Sequence, residues 1–93
     1  MKKSSLNKVS QLLGIPVPCP RWQEFFVEGS SSPNEWRSIY KKQYYLVIVT
    51  IHYPGFKSYR WRVKRQKEIL ETGEHVTPEF AKLAIRECLR RHL

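Results

Sequence analysis

Hydrophobic and polar positions alternate most cleanly in the middle of the chain. From Gln43 to Tyr53, one set of alternate positions is wholly apolar (Tyr45, Val47, Val49, Ile51) and the other is mixed (Tyr44, Leu46, Ile48, Thr50, His52). A period of two predicts a strand, because successive side chains of extended backbone point to opposite faces. Pro54-Gly55 marks a turn. Ser58 to Lys64 then alternates again, with Tyr59, Trp61 and Val63 on one side and Ser58, Arg60, Arg62 and Lys64 on the other. Trp22 to Val27 predicts a further strand, Glu28 to Glu35 a polar loop, and Glu68 to Thr72 a short strand ended by Gly73.

Helical signals sit at the two ends. In residues 1–14, Leu6, Val9 and Leu13 share a face, Ser4 or Ser5 can cap, and Gly14 suits the left-handed residue that follows a helix. Residues 15–20 place prolines at 16, 18 and 20, a stiff extended connector. At the other end Thr77 is an N-cap and Pro78 a first helical residue. Ala81, Ala84, Ile85 and Cys88, flanked by Phe80 and Leu89, form a core-facing stripe, with Lys82, Arg86 and Arg90 opposite. Residues 21–76 are therefore the sheet and 77–93 a helix. The expected fold is a single α+β domain over 1–93: a small antiparallel sheet of three to four strands, with a short N-terminal helix and a C-terminal helix packed on one face.

Charge changes the picture from fold to function. The 93 residues hold 17 Lys+Arg and 8 Asp+Glu, a net charge of +9. Residues 37–67 contain nine cations, Arg37, Lys41, Lys42, Lys57, Arg60, Arg62, Lys64, Arg65 and Lys67, and no acid. The same segment holds Tyr40, Tyr44, Tyr45, Tyr53, Phe56, Tyr59 and Trp61. Basic and aromatic residues interleaved in this way point to a polyanion. Arg60, Arg62 and Lys64 project from one strand face about 7 Å apart, close to the spacing of successive phosphates.

Other chemistry is excluded by what is missing. Cys19, Cys88, His52, His75 and His92 show no C-x-x-C or H-x-x-H spacing, so no metal or other cofactor is expected, and Cys88 reads as a buried helix residue. There is no Gly-rich phosphate loop, nucleophile elbow or paired-carboxylate motif, and no aspartate, so no catalytic residue is assigned. The longest apolar run, Tyr44 to Ile51, is far shorter than a membrane span. No signal-peptide core follows Met1-Lys2-Lys3, which points to the cytoplasm, while the absence of acids before Glu24 leaves an organellar leader open.

The helix-strand-strand-strand-helix order resembles a double-stranded RNA-binding domain. The similarity lies in Leu6 to Gln11, in Gly14-Ile15-Pro16-Val17-Pro18, in the strand Tyr45 to Tyr53, and in the closing helix with Ala81, Lys82 and Ala84. Of that family's basic helix start, Pro78-Glu79-Phe80-Ala81-Lys82 keeps the last lysine, and Ser31 to Trp36 replaces its loop histidine. The resemblance implies an α-β-β-β-α fold and either duplex-RNA binding or a protein-interaction role. The expectation is thus a non-catalytic nucleic-acid-binding module, RNA ahead of DNA. Its phosphate contacts are the nine cations of 37–67 with Lys82 and Arg86, and Tyr44 and Trp61 stack on bases. The alternative is an adaptor that docks an acidic protein or pairs through a sheet edge.

Overall fold

The computed structural model describes residues 18–93. Five strands form one antiparallel sheet in chain order: β1 Gln23–Phe26, β2 Pro33–Tyr40, β3 Tyr44–Tyr53, β4 Phe56–Arg65 and β5 Glu68–His75. One helix, α1 Pro78–His92, follows and packs on β3, β4 and β5. This corrects the expected three to four strands. The described residues hold five strands and one helix, and the helix expected over 1–14 lies outside them. They also run β-β-β-β-β-α, where the resemblance implies three strands before the closing helix.

The added strand is β2, whose first residues fall in the segment expected to be loop. Pro33 is its first residue, where a missing N–H disturbs the ladder least. Its Trp36 and Ser38 are buried while Arg37 and Ile39 are exposed, the alternation of a half-buried strand. β5 also runs further than expected. Gly73, expected to end it, lies inside it directly opposite Trp61.

Strand pairing decides which face is inside. Leu46 lies opposite Val63, Ile48 opposite Trp61 and Thr50 opposite Tyr59, so the mixed face of β3 shares a side with the aromatic face of β4. α1 covers that side with Ala81, Ile85, Cys88 and Leu89, all fully buried. Trp36, Tyr44, Leu46, Ile48, Trp61 and Val63 complete the core. Thr77 caps α1 as expected: its hydroxyl oxygen accepts from the Phe80 N–H at 3.2 Å. Phe80, expected to flank the buried stripe, is exposed.

The β2–β3 turn is strained. Lys41 and Lys42 both adopt positive φ, 52° and 62°, a conformation that costs a residue with a Cβ about 1–2 kcal/mol. Hairpin turns with two such residues favour Asn-Gly. The double substitution Lys41→Asn with Lys42→Gly is therefore expected to raise stability by about 1 kcal/mol, or roughly 4–8 °C in Tm for a domain of this size. A thermal melt checks it; an unchanged or lowered Tm would show that the lysines make compensating contacts.

Candidate functional site

The face of the sheet opposite α1 carries the apolar stripe of β3 (Tyr45, Val47, Val49, Ile51) between charged neighbours. Register gives its rows. Gln23, Arg37, Val47, Arg62 and Thr72 lie across the five strands in one line, and Phe25, Glu35, Val49, Arg60 and Glu74 in the next. Ile39, Tyr45 and Lys64 form a third. Between Arg37 and Arg62, two strand spacings or about 10 Å apart, lies a groove of about 630 Å³. Arg21, Gln23, Phe25, Ile39, Tyr45, Val47 and Lys64 also line it. That volume falls within the roughly 300–1,000 Å³ of ordinary ligand sites. Ile39 is 64% and Tyr45 44% exposed, so apolar surface here faces solvent.

The cations of this face are not equivalent. The Arg37 Nε donates to Glu35 Oε2 at 2.5 Å and its guanidinium lies 4.4 Å from the centre of the Phe25 ring. The hydrogen bond to Glu35 holds its pKa above the usual arginine value. Arg60 donates twice to Glu74 Oε1 at 3.3 Å, while Tyr53 donates its hydroxyl to Oε2 at 2.9 Å. Hydrogen bonds from Ser58 and Tyr53, with the charge of Arg60, keep the Glu74 carboxyl below its usual range. Arg62 and Lys64 have no carboxylate within 4.0 Å among the described residues. With Arg21, which also lines the groove and pairs with no carboxylate among the described residues, they are its uncommitted positive charge.

The residues expected from sequence to bind do not all meet here. Arg37, Arg60, Arg62 and Lys64 reach the open face. Lys41 and Lys42 sit in the β2–β3 turn and Lys67 in the β4–β5 turn. These two turns share one end of the sheet, since Gln66 N–H donates to Gln43 O at 3.3 Å. Arg65, at the same end, lies 3.8 Å from Glu68. Lys57 lies opposite His52 at the other end. Lys82 and Arg86 belong to the helix layer: the Lys82 Nζ lies 5.8 Å from the Trp36 ring centre, and the Arg86 Nε donates to Pro18 O at 3.1 Å.

The two stacking residues are corrections. Tyr44 is 3% and Trp61 5% exposed, both beneath α1, so neither ring has a free face. The Tyr44 hydroxyl donates to His92 O at 3.2 Å, and the Trp61 ring stacks on His75 at 6.5 Å. The aromatic rings that do reach the groove are Tyr45 and Phe25, which sequence reasoning misses.

A second group of side chains converges at the C-terminal end of α1. Glu71 of β5 meets Cys88 and His92, four residues apart and so on one helix face, with one ligand atom from each inside 4.8 Å of the others. His92 Nε2 lies 3.3 Å from Glu71 Oε2. Arg91 binds the same carboxylate, at 2.5 Å on Oε1, and holds the Glu71 pKa down. Burial first, then the charge of Glu71, pushes the Cys88 thiol up to about 12. Cys19 is exposed and Cys88 buried. A thiol reagent is therefore expected to modify one cysteine quickly and the second only on unfolding; two fast thiols would contradict the placement of Cys88.

The chain matches no family model, and no curated protein and no solved structure matches it. Among the described residues, no helix is long and apolar enough to cross a membrane. The functional reading therefore rests on the open sheet face.

Proposed function

We propose that the chain is a non-catalytic module that binds single-stranded nucleic acid across the open face of its sheet. The observation that carries this reading is the pair Arg62 and Lys64, unpaired by any described carboxylate and bordering a groove floored by Tyr45 and Val47. Phosphates would follow the basic rim while one base stacks on Tyr45, the combination used by sequence-tolerant single-strand binders. The exposed Tyr45 ring on this face suits an unpaired base, whose π-face is free to stack, better than a base held inside a duplex. The cations Lys41, Lys42 and Lys67 at the turn end extend the path of the strand. Lys82 and Arg86, on the helix layer, take no part. Two free thiols suit a reducing compartment inside the cell.

The test is a shift assay with single-stranded RNA, single-stranded DNA and the matching duplexes, each at two salt concentrations. Single strands are expected to bind more tightly than duplexes. About four phosphate contacts, at roughly 0.7 each, give a slope of log K on log salt near −3. Equal binding to duplex and single strand, or none at low salt, would overturn the reading.

One feature favours a second reading. The apolar stripe continues past the groove through Val49 and Ile51 to Tyr53 and Phe56, whose rings stack at 4.9 Å. A protein partner docking there would bind in a manner insensitive to salt and to loss of Arg62 and Lys64.

A further inference from the structure

We propose that Glu71, Cys88 and His92 form a site for one divalent transition-metal ion, with zinc as the best match. The donors select the ion. One thiol sulfur, one imidazole nitrogen and one carboxylate oxygen make a borderline set that suits zinc and offers too few oxygens for calcium or magnesium. Cys88 and His92 are held in register by one turn of α1, and Glu71 is fixed opposite them by β5.

The geometry is near what the ion requires. Zinc bond lengths of about 2.0–2.3 Å in a tetrahedron place donors roughly 3.3–3.8 Å apart. The closest pair, His92 Nε2 and Glu71 Oε2, is already at 3.3 Å. The three donor atoms lie within 4.8 Å of one another, so small side-chain rotations close the set. Glu71 and His92 side chains are 30% and 29% exposed, which gives the ion an entry path. Cys88 supplies a shielded floor.

Arg91 has a defined place in this arrangement. Its guanidinium grips both oxygens of Glu71, Nη2 donating to Oε1 at 2.5 Å and Nε to Oε2 at 3.3 Å, and so fixes the plane of a carboxylate whose Oε2 also meets His92, much as an outer partner orients a metal ligand. On binding, the metal–sulfur bond replaces the S–H bond of Cys88, and the proton leaves to solvent. Three protein ligands leave the fourth tetrahedral position to water.

The sequence spacing alone connects only Cys88 and His92. Glu71 lies seventeen residues before Cys88 and joins them only because β5 packs beneath α1.

The experiment titrates the full chain with Co²⁺ as a spectroscopic probe and then displaces it with Zn²⁺. Expected is one equivalent bound with a thiolate-to-cobalt charge-transfer band, abolished in Cys88→Ala. Loss of a ligand in His92→Gln or Glu71→Gln is expected to weaken binding by at least the roughly 10–100-fold that follows removal of an outer partner. Should Cys88→Ala not fold, the two partly exposed positions decide the matter. No band in the wild type overturns the proposal. So does a band that survives in Cys88→Ala, which would place the metal on Cys19, and so does unchanged affinity in both His92→Gln and Glu71→Gln.

Discussion

Replacing Arg62 and Lys64 together by alanine is expected to weaken binding of a single strand by about tenfold and to flatten its salt dependence. The reason lies in which charges are free. Arg37 is committed to Glu35 and the Phe25 ring, and Arg60 to Glu74, so a phosphate must compete with an existing partner for each. Arg62 and Lys64 have no such partner among the described residues. At an exposed site each contact contributes up to about 1 kcal/mol, and about 1.4 kcal/mol is one decade in affinity. Two lost phosphate contacts should also reduce the slope of log K on log salt by about 1.4. Single substitutions of Arg37 or Arg60 should do less. Tyr45→Ala should cost about 1–3 kcal/mol of binding if a base stacks on it. Melting of the double variant is expected to stay within about 0.5 kcal/mol of the wild type, because exposed side chains away from special features carry little stability. The measurement is a titration with a labelled single strand at several salt concentrations. Wild-type affinity and slope in the double variant would move the site off this face.

What the sequence reveals and conceals here follows from how strands acquire an inside. β3 on its own is ambiguous: its wholly apolar side is the obvious candidate for the core, yet that side is the open one. β4 resolves the choice, since Arg60, Arg62 and Lys64 cannot be covered by a helix without losing solvent. Pairing then forces Leu46 and Ile48 inward with Trp61 and Val63. The charge alternation of β4 is legible from sequence, and with it the basic side of the sheet. The stacking role expected of Tyr44 and Trp61 fails for the same reason. A large ring on the side away from the cations is core, and a ring among them, such as Tyr45, is surface.

β2 escapes a sequence reading because its alternation is impure. It buries a serine, exposes an isoleucine and begins at a proline. α1 is plain, since Thr77-Pro78 and the Ala81, Ile85 and Cys88 spacing agree with one another. The Glu71, Cys88 and His92 cluster is half visible. Its two helix members are four residues apart, and the third is supplied by tertiary packing.

Gly73→Ala is expected to be among the most damaging single substitutions in the sheet, although alanine should suit a strand better than glycine. Gly73 stands opposite Trp61, and the indole packs directly against it. A Cβ built at Gly73 falls 2.6 Å from the Nε1 and 2.7 Å from the Cε2 of Trp61. Those atoms belong to a ring that is 5% exposed, stacked on His75 and packed in the core, so it cannot swing aside as a flexible side-chain end would. Overpacking of this kind costs about 1–3 kcal/mol, occasionally more, which for a domain of this size lowers Tm by roughly 5–20 °C. The intrinsic gain from removing a strand glycine, about 1 kcal/mol at most, has the opposite sign and is outweighed. Trp61→Phe separates the two effects. A phenyl ring lacks Nε1 and the outer part of the indole, so it makes room for the added methyl and also removes an N–H that is buried without a partner. In that background Gly73→Ala should cost much less, or stabilise, giving a coupling of about 1 kcal/mol or more between neighbouring sites. If the cost of Gly73→Ala is the same in the Trp61→Phe background as with the native indole, close packing of Trp61 on Gly73 is not the reason a glycine stands there.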